Sequence, residues 1–399
     1  MTTEIIIVFC VLLLIAYVFD LTASKTKIPS VILLMALGWG VQQGSRTFDI
    51  QIPDLSSALP VLGTIGLILI VLEGTLELEL SKSEIPLIKK SFVMSLVPLA
   101  LTAGALSWAF HYWGGFDYRS SLINALPFCI ISSAIAIPSV RNWSKSNKTF
   151  IIYESSLSDI IGVVAFNFIA LNTDFGVKTY GFFLLEILFI LVISVLATVL
   201  LSLILSRLNH HIKFGPILIL IILTYTITKI LHLPGLIFIV VFGLTIGNID
   251  KFNNNQIMRF FHPEKLNKEV KQFKDIVVEA TFLTRSLFFL LFGFLIEIKD
   301  VYNLKTIYWA LGIVGVIVLL RIVMLAILKL KIFPLTFITP RGLITILLFY
   351  SIDPLNKISL VNESLIVQVI LISVFLMMIG VFFTKNEKKI NVLPDQIEH

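Results

Sequence analysis

Six charged residues lie inside long apolar segments of this 399-residue chain, and they are the side chains best placed to do chemistry. They are three acids and three bases: Glu73, Glu154, Asp159, Arg285, Arg321 and Arg341. Placing a charge in the middle of a bilayer costs about 2.5–3.5 kcal/mol, so each is a candidate for function. Equal numbers of acids and bases predict that most of them are paired. An acid left without a base is then a candidate to face water or a cation.

Asp159 is the deepest of the acids. It lies about ten residues into the apolar segment 149–171, which places it about 15 Å from the start of that helix. Ser155, Ser158 and Gly162 fall on the same helical face, forming a small, oxygen-bearing stripe. Such a stripe can face water or a cation. A hydrogen bond from Asp159 to a neighbouring helix is the competing interpretation, and we favour function.

The other embedded charges are predicted to form ion pairs. Glu154 and Arg321 both lie roughly 8 to 11 Å inside the cytoplasmic end of their helices, so they can meet. Glu73 and Arg285 share a similar depth and form a second candidate pair. A guanidinium is permanently charged and cannot hold a cation or release a proton. We therefore interpret Arg285, Arg321 and Arg341 as fixed counter-charges.

Prolines interrupt two of the apolar segments. Segment 120–140 contains Pro138, and segment 332–350 contains Pro340. Proline removes a backbone hydrogen bond and clashes with the preceding turn, which frees carbonyls at membrane depth. Broken helices at corresponding ranks in two halves indicate a transporter with a site near the midplane. Simple kinking is the alternative.

The composition sets the fold class in which these residues must be positioned. Hydrophobic residues make up 57% of the chain and charged residues only 14%, whereas an ordinary soluble domain is about one quarter charged. Apolar segments long enough to cross about 30 Å of hydrocarbon recur along the chain. We count thirteen, near 4–19, 28–44, 57–79, 91–113, 120–140, 149–171, 180–206, 214–230, 234–249, 277–298, 305–328, 332–350 and 364–384. The prediction is an all-α integral membrane protein.

The broken helices divide the chain into two matched halves. We expect one transmembrane transporter domain over 1–384, with inverted repeats over about 1–171 and 214–384. The helix 180–206 links them, broken helices 5 and 12 cross near the midplane, and a short cytoplasmic tail covers 385–399.

The distribution of basic residues predicts the orientation. The odd-numbered loops and the tail carry 21 of the 31 Lys and Arg residues, and the even-numbered loops carry 7. The positive-inside rule then places the N-terminus outside and the C-terminus in the cytoplasm. A net charge of +6 belongs to the membrane surface, and no nucleic-acid partner is implied. A multi-pass chain without a transit peptide suggests a bacterial inner membrane.

The segment that carries Asp159 resembles a known motif. Glu154-Ser-Ser-Leu-Ser158-Asp159 is similar to the Glu-Ser-x-x-Asn-Asp motif of the monovalent cation:proton antiporter superfamily, the NhaP-type sodium/proton exchangers. The stretches 71–78, 287–293 and 340–342 resemble other helices of that family, so the likeness spans nearly the whole chain.

The resemblance implies roles for several residues. Asp159 would carry cation and proton in turn, Ser155 and Glu73 would be site neighbours, and the protein would be a homodimer. Two departures stand out: the family's Asn before the key Asp is Ser158, and its Thr-Asp-Pro is replaced by Ser133-Ala134-Ile135. With a single titratable acid at this position, electroneutral exchange is favoured over electrogenic exchange.

The predicted function is secondary antiport for pH homeostasis. One buried carboxylate would bind either a proton or a monovalent cation, with Na⁺ favoured over K⁺ and Li⁺ and no resident cofactor. Hydroxyls of Ser155 and Ser158, with freed backbone carbonyls near Ser132 and Ser133, would complete the oxygen shell around Asp159. A sodium-coupled transporter of another solute and a non-transporting sensor stay open as alternatives. An intramembrane enzyme is disfavoured because the histidines lie at span ends, in loops or in the tail and no second deep aspartate accompanies Asp159.

Overall fold

A computed structural model describes most of the chain, and all of the regular structure in its described residues is helical. The described ranges are 2–26, 28–50, 55, 57–78, 84–141, 143–172, 176–207, 214–231, 233–249 and 263–384. The all-α prediction is confirmed. The predicted cytoplasmic tail 385–399 lies outside the described residues, as does the first part, 250–262, of the longest basic connection.

The helices can be given in chain order. They are α1 Thr2–Thr26, α2 Ser30–Thr47, α3 Ala58–Glu77, α4 Ile85–Tyr112, α5 Tyr118–Cys129, α6 Ser133–Ser139, α7 Lys145–Leu171, α8 Val177–Arg207, α9 Phe214–Ile230, α10 Leu236–Gly247, α11 Pro263–Leu295, α12 Ile298–Val301, α13 Leu304–Ile327, α14 Ile332–Leu335, α15 Leu343–Ser351 and α16 Glu363–Phe383.

Helical segments overlie every predicted apolar segment, but they are not equally suited to cross a membrane. Within the described ranges, nine are long and apolar enough by length and composition, taking α5 and α6 together as one. The apolar helices α9 and α10 are shorter, with 17 and 12 residues. The chain is a multi-pass membrane protein, and the count of thirteen spans stays a prediction.

Short polar side chains start several helices. The Asp117 carboxylate accepts hydrogen bonds from two backbone N–H groups in the first turn of α5. The side-chain carbonyl of Asn303 accepts one such bond in α13, and that of Asn362 accepts one in α16. Each supplies an acceptor for donors that have no partner within the helix.

The first broken span does not break at its proline. Pro138 lies inside α6, and the interruption falls at residues 130–132, where Ile130 and Ser132 have extended backbone angles. The prediction that Pro138 marks the break was therefore wrong by several residues. Tertiary contacts decide the position, because the N–H groups of Ile131 and Ser132 donate to Ser158 Oγ and Pro340 O at 3.0 and 2.9 Å.

The second broken span is interrupted where predicted. The chain between Leu335 at the end of α14 and Leu343 at the start of α15 contains Pro340, whose carbonyl accepts the bond from Ser132. The two interruptions thus touch each other through their backbones. This contact is where the broken spans cross.

Two groups of helices surround this crossing. In one group α11 packs along α2 and α3, and in the other α4 packs along α5 and α7. Gly38 and Gly293 allow α2 and α11 to approach so closely that a Cβ at either position would overlap the backbone of the opposite helix. The assignment of inverted repeats over 1–171 and 214–384 stays a prediction.

Candidate functional site

Asp159 lies on α7 beside the first broken span. Its side chain is buried, with 1% of its surface exposed. One carboxylate oxygen, Oδ2, accepts a hydrogen bond from the hydroxyl of Ser133, the first residue of α6. The other oxygen, Oδ1, is buried and has no hydrogen-bond partner in the part of the chain that the structure describes. A buried acceptor without a donor is costly, so this oxygen is suited to a proton or a cation.

The three serines predicted around Asp159 have different surroundings. Ser133 contacts the carboxylate directly. The Ser158 hydroxyl instead accepts from the backbone N–H of Ile131, so its observed bond supports the break. The Ser155 hydroxyl donates to the carbonyl of Ile151 in its own helix at 2.7 Å. A hydroxyl oxygen has two lone pairs, so either oxygen retains some capacity to accept.

Ser132 adds a hydroxyl oxygen, whereas the sequence predicted only a contribution from backbone carbonyls near this residue. Its side chain is buried, and Oγ has no hydrogen-bond partner among the described residues. This oxygen lies at the crossing, because a Cβ built on Gly342 would be 2.9 Å from it. Gly342 thus leaves the Ser132 hydroxyl its space.

Arg341 holds the carboxyl-terminal end of α5. Its guanidinium donates to the carbonyls of Phe128 at 2.6 Å and Cys129 at 3.5 Å. The Thr345 hydroxyl donates to the carbonyl of Pro127 at 2.9 Å. A helix ends with unpaired carbonyls and a partial negative charge, and a cation there satisfies both. The second broken span therefore caps the first.

Glu154 and Arg321 form the ion pair that their equal depth predicts. Arg321 Nη1 and Nη2 contact the two carboxylate oxygens at 2.5 and 2.9 Å, in a bidentate arrangement. Both side chains are almost fully buried. Arg321 Nε also donates to the carbonyl of Leu335 at 2.7 Å, so this pair links α7, α13 and the end of α14.

Arg285 has a different partner from the one predicted. Its Nη2 forms an ion pair with Asp20 Oδ1 at 3.4 Å, and within the described ranges Glu73 is in no ion pair within 4 Å. The second predicted pair, Glu73 with Arg285, was wrong as a direct contact. Equal depth was insufficient because α1 extends to Thr26, which brings Asp20 to the same level.

A cavity of about 240 Å³ lies among α3, α6, α7 and α11. Glu73 and Glu77 of α3 line it together with the basic residues Arg141, Lys148 and Arg285, and Ser133 forms part of the same wall. The volume is sufficient for several water molecules. Because Ser133 both lines this cavity and donates to Asp159, one side chain bridges the cavity and the buried carboxylate.

The comparison with protein families decides the class. The model of a family described as "Sodium/hydrogen exchanger, transmembrane" matches residues 10–385, almost the whole chain. The chain belongs to the sodium/hydrogen exchanger family. It is therefore a membrane transporter for cation and proton antiport, and the alternative of an intramembrane enzyme is excluded.

Solved structures agree with this exchanger in fold. A structure of the sodium proton antiporter MjNhaP1 from Methanocaldococcus jannaschii at pH 8 has a TM-score of 0.67 and 18% sequence identity, over 96% of each chain. An electron-microscopy structure of the same antiporter also gives a TM-score of 0.67, with 17% identity over 96% of this chain and 95% of that one. A search of curated proteins found no match.

The roles of two residues near the exchanger's cavity were not predicted from the sequence. Asp20 lies one residue beyond the predicted first segment, so it was not counted among the embedded charges. Arg141 was counted as a loop residue, yet its Nη1 lies 3.4 Å from Asp20 Oδ2. A predicted helix extended by one residue would have identified Asp20, whereas no sequence signal identifies its two partners.

Proposed function

We propose that this exchanger carries Na⁺ in one direction and H⁺ in the other by competition at Asp159. The carboxylate binds either a proton or the cation, and the broken spans expose it to the two sides of the membrane in turn. The protein acts as a homodimer in a bacterial inner membrane, with its N-terminus outside and its C-terminus in the cytoplasm.

One observation carries this proposal. Asp159 Oδ1 is buried and unpartnered, while Oδ2 is bonded to a serine that lines a polar cavity. A structural aspartate would have both oxygens satisfied by protein donors. An oxygen without a donor, on a carboxylate that is one hydrogen bond away from a polar cavity, supports a role in ion exchange.

Oxygen atoms that could coordinate a hard cation lie around Asp159. The hydroxyls of Ser132 and Ser133 belong to the crossing, and the Glu73 carboxylate faces the cavity from which water can contribute. Ser155 stays a candidate from its place on the Asp159 face. The name of the similar antiporter, which specifies sodium and protons, supports Na⁺ as the cation.

Competition at one carboxylate favours electroneutral exchange. One negative charge takes up one proton or one monovalent cation, so the loaded site has the same charge in both cases. The family's second aspartate is replaced here by Ala134, which has no ionisable group. One proton is then exchanged for one cation.

The test is cation-driven proton movement in proteoliposomes that contain a pH-sensitive dye. Na⁺, Li⁺ and K⁺ are added separately to wild type and to Asp159→Asn, and proton release is expected with Na⁺ in wild type alone. Asp353→Asn is the matched control, because Asp353 is exposed and caps a short turn far from α7 in the chain. Unchanged exchange in Asp159→Asn would refute the site.

The same vesicles test the stoichiometry. A potassium gradient with valinomycin imposes a membrane potential, and an electroneutral exchange rate stays within about 1.5-fold across it, since no net charge crosses the field. A rate that follows the imposed potential would contradict one-for-one exchange. The assignment of Asp159 would still be decided by the Asp159→Asn variant.

A further inference from the structure

Asp20 contacts two arginines at once. Its Oδ1 lies 3.4 Å from Arg285 Nη2, and its Oδ2 lies 3.4 Å from Arg141 Nη1. The Ser30 hydroxyl donates to Oδ1 at 3.4 Å. Each carboxylate oxygen thus has its own guanidinium, and four parts of the chain meet here: α1, α2, α11 and the residues after α6.

Both arginines line the cavity that reaches Ser133, and Glu73 faces the same space. The side chain of Arg285 is 6% exposed, so its charge is poorly screened by solvent and requires an acid nearby. Arg141 is half-exposed, so solvent screens its charge and it depends less on a nearby acid. The acid that each arginine contacts is Asp20, whereas the Glu73 carboxylate attracts Arg285 electrostatically but is in no ion pair within 4 Å in the described residues.

The charges on the cavity wall explain why this matters for a cation. Three bases and two acids line the cavity, and Asp20, which is not among the lining residues, is a third acid that contacts two of these bases. Without Asp20, the cavity would have one excess positive charge. Arg285, which Glu73 already attracts electrostatically, would lose the acid that it contacts and would move toward Glu73. Both changes disfavour a cation that enters toward Asp159.

We propose that Asp20 is a positioning residue for the entering cation: it engages Arg285 and Arg141 and thereby keeps Glu73 available in the cavity that leads to Asp159. This inference depends on the proposed exchange at Asp159. It assigns to Asp20 an effect on the apparent affinity for the cation, through other residues, rather than a contact with the transported ion.

The first test is Asp20→Asn, which keeps the size of the side chain and removes its charge. Because one unit charge is lost near the cation's path, the apparent KM for Na⁺ should rise by about tenfold. The maximal exchange rate should stay within about twofold. Asp20→Glu, which retains the charge, should stay close to wild type.

Rescue separates this role from structural support. In Asp20→Asn/Arg285→Gln the arginine that would capture Glu73 is gone, so the apparent KM should return to within about threefold of wild type. Glu297→Gln is the control, since Glu297 also pairs with an arginine, Arg46, but in an exposed pair outside this cavity. If the double variant is worse than Asp20→Asn, the proposal is wrong.

A purely structural Asp20 would give a different result, namely a lower maximal rate and yield at unchanged KM. Should Asp20→Asn not be purified, Arg141→Gln decides: loss of a positive charge from the path should lower the apparent KM by about threefold. An unchanged or higher KM would overturn the proposal. Exchange that persists in Asp159→Asn would refute the proposed function instead, so the two failures are distinguishable.

Discussion

Removal of one member of the Glu154–Arg321 pair should destabilise the folded exchanger strongly. Arg321 makes two charge-assisted hydrogen bonds to Glu154, at 2.5 and 2.9 Å, and both side chains are almost fully buried. Such bonds contribute about 1.5–3 kcal/mol each. Breaking a buried pair by removing one partner costs about 3–5 kcal/mol, because the other charge is left buried and uncompensated.

The two single variants should lower the stability of the folded protein by different amounts. Glu154→Gln retains one carbonyl acceptor, and Arg321 keeps its bond to the carbonyl of Leu335, so the cost falls near the lower end, about 3 kcal/mol. Arg321→Gln strands the Glu154 carboxylate and loses the Leu335 contact as well, so about 5 kcal/mol is expected. The double variant Glu154→Gln/Arg321→Gln buries no charge and should cost less than the sum.

The assay is the fraction of protein that stays monodisperse after heating in detergent, measured by size-exclusion chromatography. Falls in apparent Tm of about 5–10 °C are expected for the single variants. The control is Arg46→Gln, from an ion pair of 3.9 Å with both side chains exposed, where the expected shift is about 1 °C or less. Single variants that melt like wild type, or a double variant that shows the full sum, would refute the reasoning.

Two further predictions concern the exchange itself. If protons and Na⁺ compete at Asp159, each unit of pH decrease in the competing range should raise the apparent KM for Na⁺ by about tenfold while the maximal rate is retained; a lower maximal rate at constant KM would contradict competition. Ser133→Ala removes the hydroxyl that donates to Asp159 and should raise the apparent KM for Na⁺ by about fivefold to twentyfold. Ser156→Ala removes a buried hydroxyl of α7, the helix that carries Asp159. This hydroxyl has no hydrogen-bond partner in the described residues, and its loss should change KM by less than about twofold. Equal effects of the two serine variants would argue against the contact.

The sequence allowed the partners of buried charges to be predicted where helical geometry alone determines their depth. Depth along a helix follows from 1.5 Å per residue, so Glu154 and Arg321 could be paired although 167 residues separate them. The same reasoning missed the acid that Arg285 contacts, although Glu73 also attracts Arg285 electrostatically. Asp20 lies just beyond the predicted segment 4–19, whose limit is uncertain by a few residues, and 265 residues separate it from Arg285.

The broken spans show the same division between local and tertiary information. The two spans selected by their prolines are interrupted, but proline alone does not break a helix here, since α4 is continuous across Pro98. The position of the first interruption depends on where donors and acceptors from other spans are available. Ser158 and Pro340 supply acceptors for the N–H groups of Ile131 and Ser132, so the break falls there and α6 continues through Pro138.

The crossing also determines what a cation at Asp159 would encounter. Carbonyls at the end of α5 accept hydrogen bonds from Arg341 and Thr345, which makes them poor ligands for a further cation. The anionic charge offered at the crossing is then that of Asp159. A site with this single charge is negative when empty and becomes neutral with either H⁺ or Na⁺. Because both loaded forms have the same charge, a membrane potential acts equally on the two, which is the electrostatic condition for the proposed one-for-one exchange.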